Sequence, residues 1–133
     1  MANQVPTLEN PQELEAVVSG PDGANRLFVC TGVAPINQYS AGGAQTQVWT
    51  WRVGPQLARL QFRRAVAQGA LVRVTGSGQW SLAGLDTDWD DESGRVEVRA
   101  EVFLQASGGA TNPASVGVQG ISYHVTILAA MEA

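Results

Sequence analysis

Residues 45–76 read QTQVWTWRVGPQLARLQFRRAVAQGALVRVTG. Gln45 to Val53 is dense in β-branched and aromatic residues, the types that pack well on a pleated surface, and predicts a strand. Gly54-Pro55 changes the pattern, because proline is tolerated at the first position of a helix. Ala58, Phe62, Ala65 and Val66 then recur at helical spacing. The reading is a helix to about Gln68, stopped by Gly69. Ala70 to Thr75 follows as the next strand, with Val72 and Val74 facing one way. The rest of the chain is arranged around this strand–helix–strand piece.

On the N-terminal side, residues 1–12 are polar, contain two prolines and read as a flexible arm. Asn10-Pro11-Gln12-Glu13 also has the form of a helix capping box. From Glu13 to Ser19, Leu14, Ala16 and Val18 alternate with Glu13, Glu15 and Val17, the period of a half-buried strand. Pro21-Asp22-Gly23 supplies turn chemistry, and Leu27 to Ala34 returns as a second strand. Residues 35–44, ending Ala41-Gly42-Gly43-Ala44, read as a loop. On the C-terminal side, residues 76–94 form a long hairpin connection. Arg95 to Gln105 alternates, with Val96, Val98, Ala100, Val102 and Leu104 on one face. Val118 to Leu128 is the last strand. The order predicts a mainly β chain: one five-stranded antiparallel oligonucleotide/oligosaccharide-binding (OB) barrel over residues 13–133. It carries one helix between strands 3 and 4 and an extra C-terminal strand. That fold offers strands 2 and 3 and two loops to ligands.

The chain of 133 residues is one domain's length, with a net charge of -4. A negative total argues against phosphate binding, but the charges are segregated. There is no lysine, and six of the eight arginines (Arg26, Arg52, Arg59, Arg63, Arg64, Arg73) lie between Gly23 and Leu85, where there is no acid. The guanidinium binds phosphate through paired donors and stacks on bases. The acids gather at Glu9 to Asp22 and at Asp86 to Glu92. No apolar run approaches a membrane span, and nothing reads as a secretion signal. The single Cys30 sits in the apolar run Leu27-Phe28-Val29-Cys30 and reads as a buried small hydrophobe. A cytoplasmic location is expected.

Several motifs resemble the bacterial single-stranded-DNA-binding (SSB) proteins. Gln68 to Gly76 is similar to that family's Lys-Gly-x-x-Val-x-Ile-x-Gly run. Trp89-Asp90-Asp91-Glu92-Ser93-Gly94-Arg95 resembles its Trp-x-Asp-x-x-Gly-Lys/Arg hairpin tip, and Glu101-Val102 follows where the family has Glu-Val. Trp49 lies twenty residues before Gly69, the family's spacing. The match covers roughly residues 45–105. The hairpin from Gly76 to Trp89 is longer than the family's, and the acidic partner-recruiting tail is missing. The resemblance implies sequence-independent binding of single-stranded DNA by dimers or tetramers in replication, repair or recombination. It makes Trp49 and Trp89 base-stacking positions.

Such binding needs exposed rings and cations, and each stacked base contributes about 1–3 kcal/mol. The expected DNA-binding set is Trp49, Trp51, Trp80, Trp89, Arg73, Arg52, Arg26 and Arg99. Each has a plain structural alternative. Trp49 and Trp51, two apart on one strand, share a face; if that face is the core, Arg52 faces water. Arg99 shares a face with Glu97 and Glu101, so a cross-strand ion pair competes with a phosphate contact. Catalysis has little support. His124 is the only histidine, too few ligands exist for zinc, and no nucleophile elbow occurs. Asp86, Asp88, Asp90 and Glu92 lack the glycine and terminal glutamate of a calcium loop. No enzyme activity, cofactor or metal is expected. The rival reading is an OB-fold interaction or assembly module, such as a primosome adaptor or a phage structural protein, with its tryptophans buried against a partner chain.

Overall fold

A computed structural model describes residues 4–21, 23–108 and 114–131. Seven strands are present: β1 (Glu9–Gly20), β2 (Gly23–Ser40), β3 (Ala44–Val53), β4 (Phe62–Gly76), β5 (Gly78–Trp89), β6 (Val96–Ala106) and β7 (Val116–Ala130). They form two antiparallel sheets, β1-β2-β7-β4 and β3-β6-β5. The prediction of a mainly β chain agrees, but the five-stranded barrel with a helix does not. Among the described residues there is no helix, and the sheets face each other as a sandwich. Of the expected turn, Asp22 lies outside the described residues, as do residues 1–3 of the expected arm and 109–113.

The register explains the architecture. β6 and β7 pair on one side with β3 and β2, and on the other with β5 and β4. β2–β3 and β4–β5 therefore each run along both sheets, bent once from one into the other, on either side of β6 and β7. The bends lie together: Ser40 and Gly76 both pair with Val116, while Ala44 pairs with Gln105 and Gly78 with Ala106. The bend between β4 and β5 needs glycine. Gly76 has φ 90°, and a Cβ there would collide with the Ser115 carbonyl oxygen. Ser77 N–H donates to that same carbonyl at 2.8 Å, which fixes the corner.

Residues 55–68, expected as a helix, divide differently. Gly54 to Gln61 form an irregular plug across the open end of the sandwich, and the strand starts at Phe62. Leu57 is 2 % exposed, its N–H donates to the Gly94 carbonyl at 2.7 Å, and its own carbonyl accepts from Trp89 Nε1 at 3.1 Å. Beyond the plug, Ala65, Ala67 and Leu71 pack against the core from β4. The small side chains at 65–70 suit either periodicity, so the long ladder with β7 decides the conformation: tertiary pairing overrides a weak local preference. Gly69, expected to stop the helix, lies within the strand opposite Tyr123.

The core is the shared inner face. β6 contributes Val96, Val98, Ala100, Val102 and Leu104, all fully buried. Facing them from β2 and β7 are Phe28, Cys30, Ile121, Tyr123, Val125 and Ile127. A crease crosses the four-stranded sheet where Asn37 (φ 47°) and Arg73 (φ 56°) take left-handed backbone angles. There the inward positions change parity, so Leu71 and Val74 pack on the core rather than Val72 with Val74. The plug and the exposed turn beside it predict opposite responses. Leu57→Ala should lower unfolding free energy by about 2–5 kcal/mol. Leu60→Ala, at a side chain 78 % exposed, should stay within about 0.5 kcal/mol of wild type. Urea denaturation monitored by tryptophan emission measures both.

Candidate functional site

Trp49 and Trp51 lie on the inner face of β3, opposite Ala100 and Val98, and are 7 % and 2 % exposed. Trp49 Nε1 donates to Gln38 Oε1 at 2.9 Å, and Gln38 Nε2 donates to the Val102 carbonyl at 3.0 Å. This buried amide links the two sheets with its hydrogen bonds satisfied, as burial of a polar group requires. The Trp51 ring packs at 5.5 Å from the Tyr123 ring, and its indole nitrogen is a buried donor with no protein acceptor. Neither ring is available to a base. Arg52, which follows Trp51 in sequence, faces outward.

Trp89 is half-buried and donates to the plug. It lines a cleft of about 630 Å³ with Arg59, Phe62, Asp88, Asp90, Asp91 and Glu97, a lining with more acids than arginines and unsuited to phosphate. Asp90 organises the hairpin tip beside it. Its Oδ2 accepts from Ser93 Oγ at 2.6 Å and Ser93 N–H at 3.0 Å, and lies 3.1 Å from Arg52 Nε. The Ser93 hydroxyl chiefly, helped by backbone donors and the Arg52 charge, holds this carboxyl below the usual range against a partial loss of solvent. Trp80 alone of the four tryptophans is substantially exposed, at 48 %, beside Phe103 and next to the bends.

The arginines expected to meet DNA have protein partners. Arg26 Nε lies 2.7 Å from Glu15 Oε1, with its guanidinium 4.8 Å from the centre of the Phe28 ring. Arg99 Nη1 lies 2.7 Å from Glu101 Oε1, and Arg73 reaches Glu9 at 3.9 Å. Surface pairs of this kind add at most about 1 kcal/mol each, but they cancel the basic character read along the sequence. Arg59, Arg63 and Arg64 are exposed without an ion-pair partner among the described residues. They sit at the plug end, whereas Trp80 sits at the bend end, so the free cations and the free ring are not brought together. The Cys30 thiol, pushed up to about 11 chiefly by burial, is no nucleophile. Among the described residues no cluster of His, Cys, Asp or Glu could hold a metal ion, and no helix is long and apolar enough to cross a membrane.

The two outer faces differ sharply. On the three-stranded sheet, register aligns Arg52, Glu97 and Asp88 in one row and Thr50, Arg99 and Asp86 in the next. That face carries charged rows, although Val48 and Thr50 on the same side of β3 are buried. On the four-stranded sheet the rows are Ala16, Leu27, Leu128 and Arg64; then Leu14, Val29, Thr126 and Val66; then Gln12, Thr31, His124 and Gln68. Leu14 is 71 % and Val66 48 % exposed. Arg64 stands at one corner, and Glu9 with Arg73 at the other end; between them the described outward residues carry no Asp, Glu, Lys or Arg. The signal for this face was present in the sequence. In Leu27-Phe28-Val29-Cys30 and in Ile127-Leu128 both parities are apolar, the mark of a strand covered on both sides.

In comparisons with known proteins, no protein-family model, no curated protein and no solved structure matches this chain. The placement of the indoles has a direct optical consequence. Trp80→Phe should remove most of the acrylamide-quenchable emission, while Trp51→Phe should remove emission that acrylamide does not reach. If Trp80→Phe leaves the quenchable fraction intact, the indole placement is wrong.

Proposed function

We propose that this chain is a non-catalytic assembly module that associates with its own kind through the outer face of the β1-β2-β7-β4 sheet. The observation that carries the reading is that face itself, with its rows of Leu14, Leu27, Val29, Val66 and Leu128 and no carboxylate or guanidinium between its ends. Contiguous apolar surface of this kind marks a protein contact on a chain that otherwise carries its charges outward. The contrast with the charged rows on the outer face of the other sheet supports the reading. β1 strengthens it further. Leu14 stands on this face beside Val29 and is 71 % exposed. A cytoplasmic setting suits the single unpaired thiol.

Single-stranded-DNA binding is the second reading. It rests on the half-exposed Trp80 and on Arg59, Arg63 and Arg64, and it would need a track connecting the two ends of the sandwich. Equilibrium sedimentation separates the readings. The wild-type chain should associate reversibly below about 1 mM, the range of a contact worth about 4 kcal/mol or more. Leu14→Glu/Val66→Glu should weaken association by at least about tenfold, with an unchanged urea midpoint in dilute solution. A wild-type chain that stays monomeric throughout that range contradicts the assembly reading. Quenching of tryptophan emission by oligo-dT at low salt would favour the DNA reading instead.

A further inference from the structure

We infer that the assembly is a closed, two-fold dimer in which the four-stranded sheets of two copies stack face to face, with the axis passing between β2 and β7. This rests on the self-association reading above and adds the partner's pose. A sheet can recruit a second copy along an edge or across a face, and here the edges are defended. β1 carries Pro11, which has no N–H to give, a register shift between Glu9 and Gln12 with Asn10 at φ 47°, and the charges of Glu13 and Glu15. β4 carries a register shift between Phe62 and Arg64, the exposed Arg63, and Arg73 at φ 56°. In the other sheet, Gln4 already occupies part of the β3 edge, donating to the Val48 carbonyl at 3.0 Å and accepting from Thr50 N–H at 2.8 Å. On β5, Thr87 Oγ1 turns to the Ala65 carbonyl at 3.1 Å. Proline, bulges and charge on an edge are the devices that prevent strand-to-strand joining. Between Arg64 and the Glu9–Arg73 pair, the three rows of the four-stranded face carry no proline, no register shift and no charge.

The same face fits a copy of itself better than a foreign partner. A partner selected by charge would be met by countercharges, and the central rows have none. On a chain of net charge -4, this is the surface on which two copies approach without like charges opposing each other. Four strands and three outward rows make a patch about 19 Å across and about 20 Å long. That is a flat footprint of roughly 400 Å² per copy, against about 800 Å² in a standard interface, which is the scale of a weak, reversible dimer. The outward residues of β2 and β7 are the centre of the patch. A two-fold axis lying in the interface between β2 and β7 sets Val29 of one copy against Thr126 of the other, and the reverse, while Arg64 and the Glu9–Arg73 pair remain at the margin. Such a contact is isologous and closes at two copies.

Cysteine placement tests the pose in the full chain. Thr126→Cys, and independently Val29→Cys, should be cross-linked to a covalent dimer by a short bismaleimide at concentrations where the wild type associates. Glu15→Cys, on the β1 side turned away from the face, should not, and wild type with its buried Cys30 serves as the blank. The dimer should be the largest species. If the wild type associates but Glu15→Cys links and the two central cysteines do not, or a ladder beyond dimers forms, the pose is overturned while self-association stands. If the wild type does not associate, the self-association reading itself has failed, and the pose with it.

Discussion

Antiparallel pairing along β6 in one sheet and along β7 in the other is the constraint on which the molecule depends. Every strand except β1 pairs with one of these two, and β1 is attached through β2. Because β2–β3 and β4–β5 each bend at the same level, the strands form two facing layers. Their inward residues must then be apolar at every second position. β6 meets that demand with five fully buried aliphatic side chains. The demand leaves the outward residues free to vary, and the two layers use that freedom in opposite ways. One sheet carries arginines and acids in cross-strand rows; the other carries leucine, valine, threonine and glutamine.

Much of the strand layout is legible in the sequence. The alternation from Arg95 to Gln105 reads directly as β6, and the apolar runs around Leu27 and Val125 read as strands. The plug and β4 are not legible, because Ala58, Phe62, Ala65 and Val66 fit a helical stripe while Ala65, Ala67 and Leu71 fit a strand. Local spacing is ambiguous there, and the outcome is set by pairing with β7, some sixty residues away. The bends are equally hidden, since glycine-rich corners between sheets resemble the corners of a hairpin. Residues 76–94 therefore read as one long connection, although most of them form β5.

The candidate site shows the same division. Pairing of Trp49 and Trp51 on a common face is visible from their spacing, but which face is buried depends on the partner strand. Register against β6 turns both rings inward and Arg52 outward. The basic stretch from Gly23 to Leu85 is real in sequence, yet Arg26, Arg52 and Arg73 find acids from other segments once the sheets form. Charge segregation along a chain is thus a poor guide to charge on a folded surface. Two-sided apolar character in Leu27 to Cys30 of β2 marks the uncharged outer face more directly, whereas β7 from Ser122 to Ile127 alternates.

Methyl-resolved NMR with a soluble paramagnetic agent tests most directly whether the bare face is a protein contact. With increasing protein concentration, the methyls of Leu27, Val29 and Leu128 should lose their relaxation by the agent, while those of the exposed Leu60 keep it. Relaxation of the face methyls that stays as strong in concentrated as in dilute solution would contradict the account, since the sheet would then be facing water.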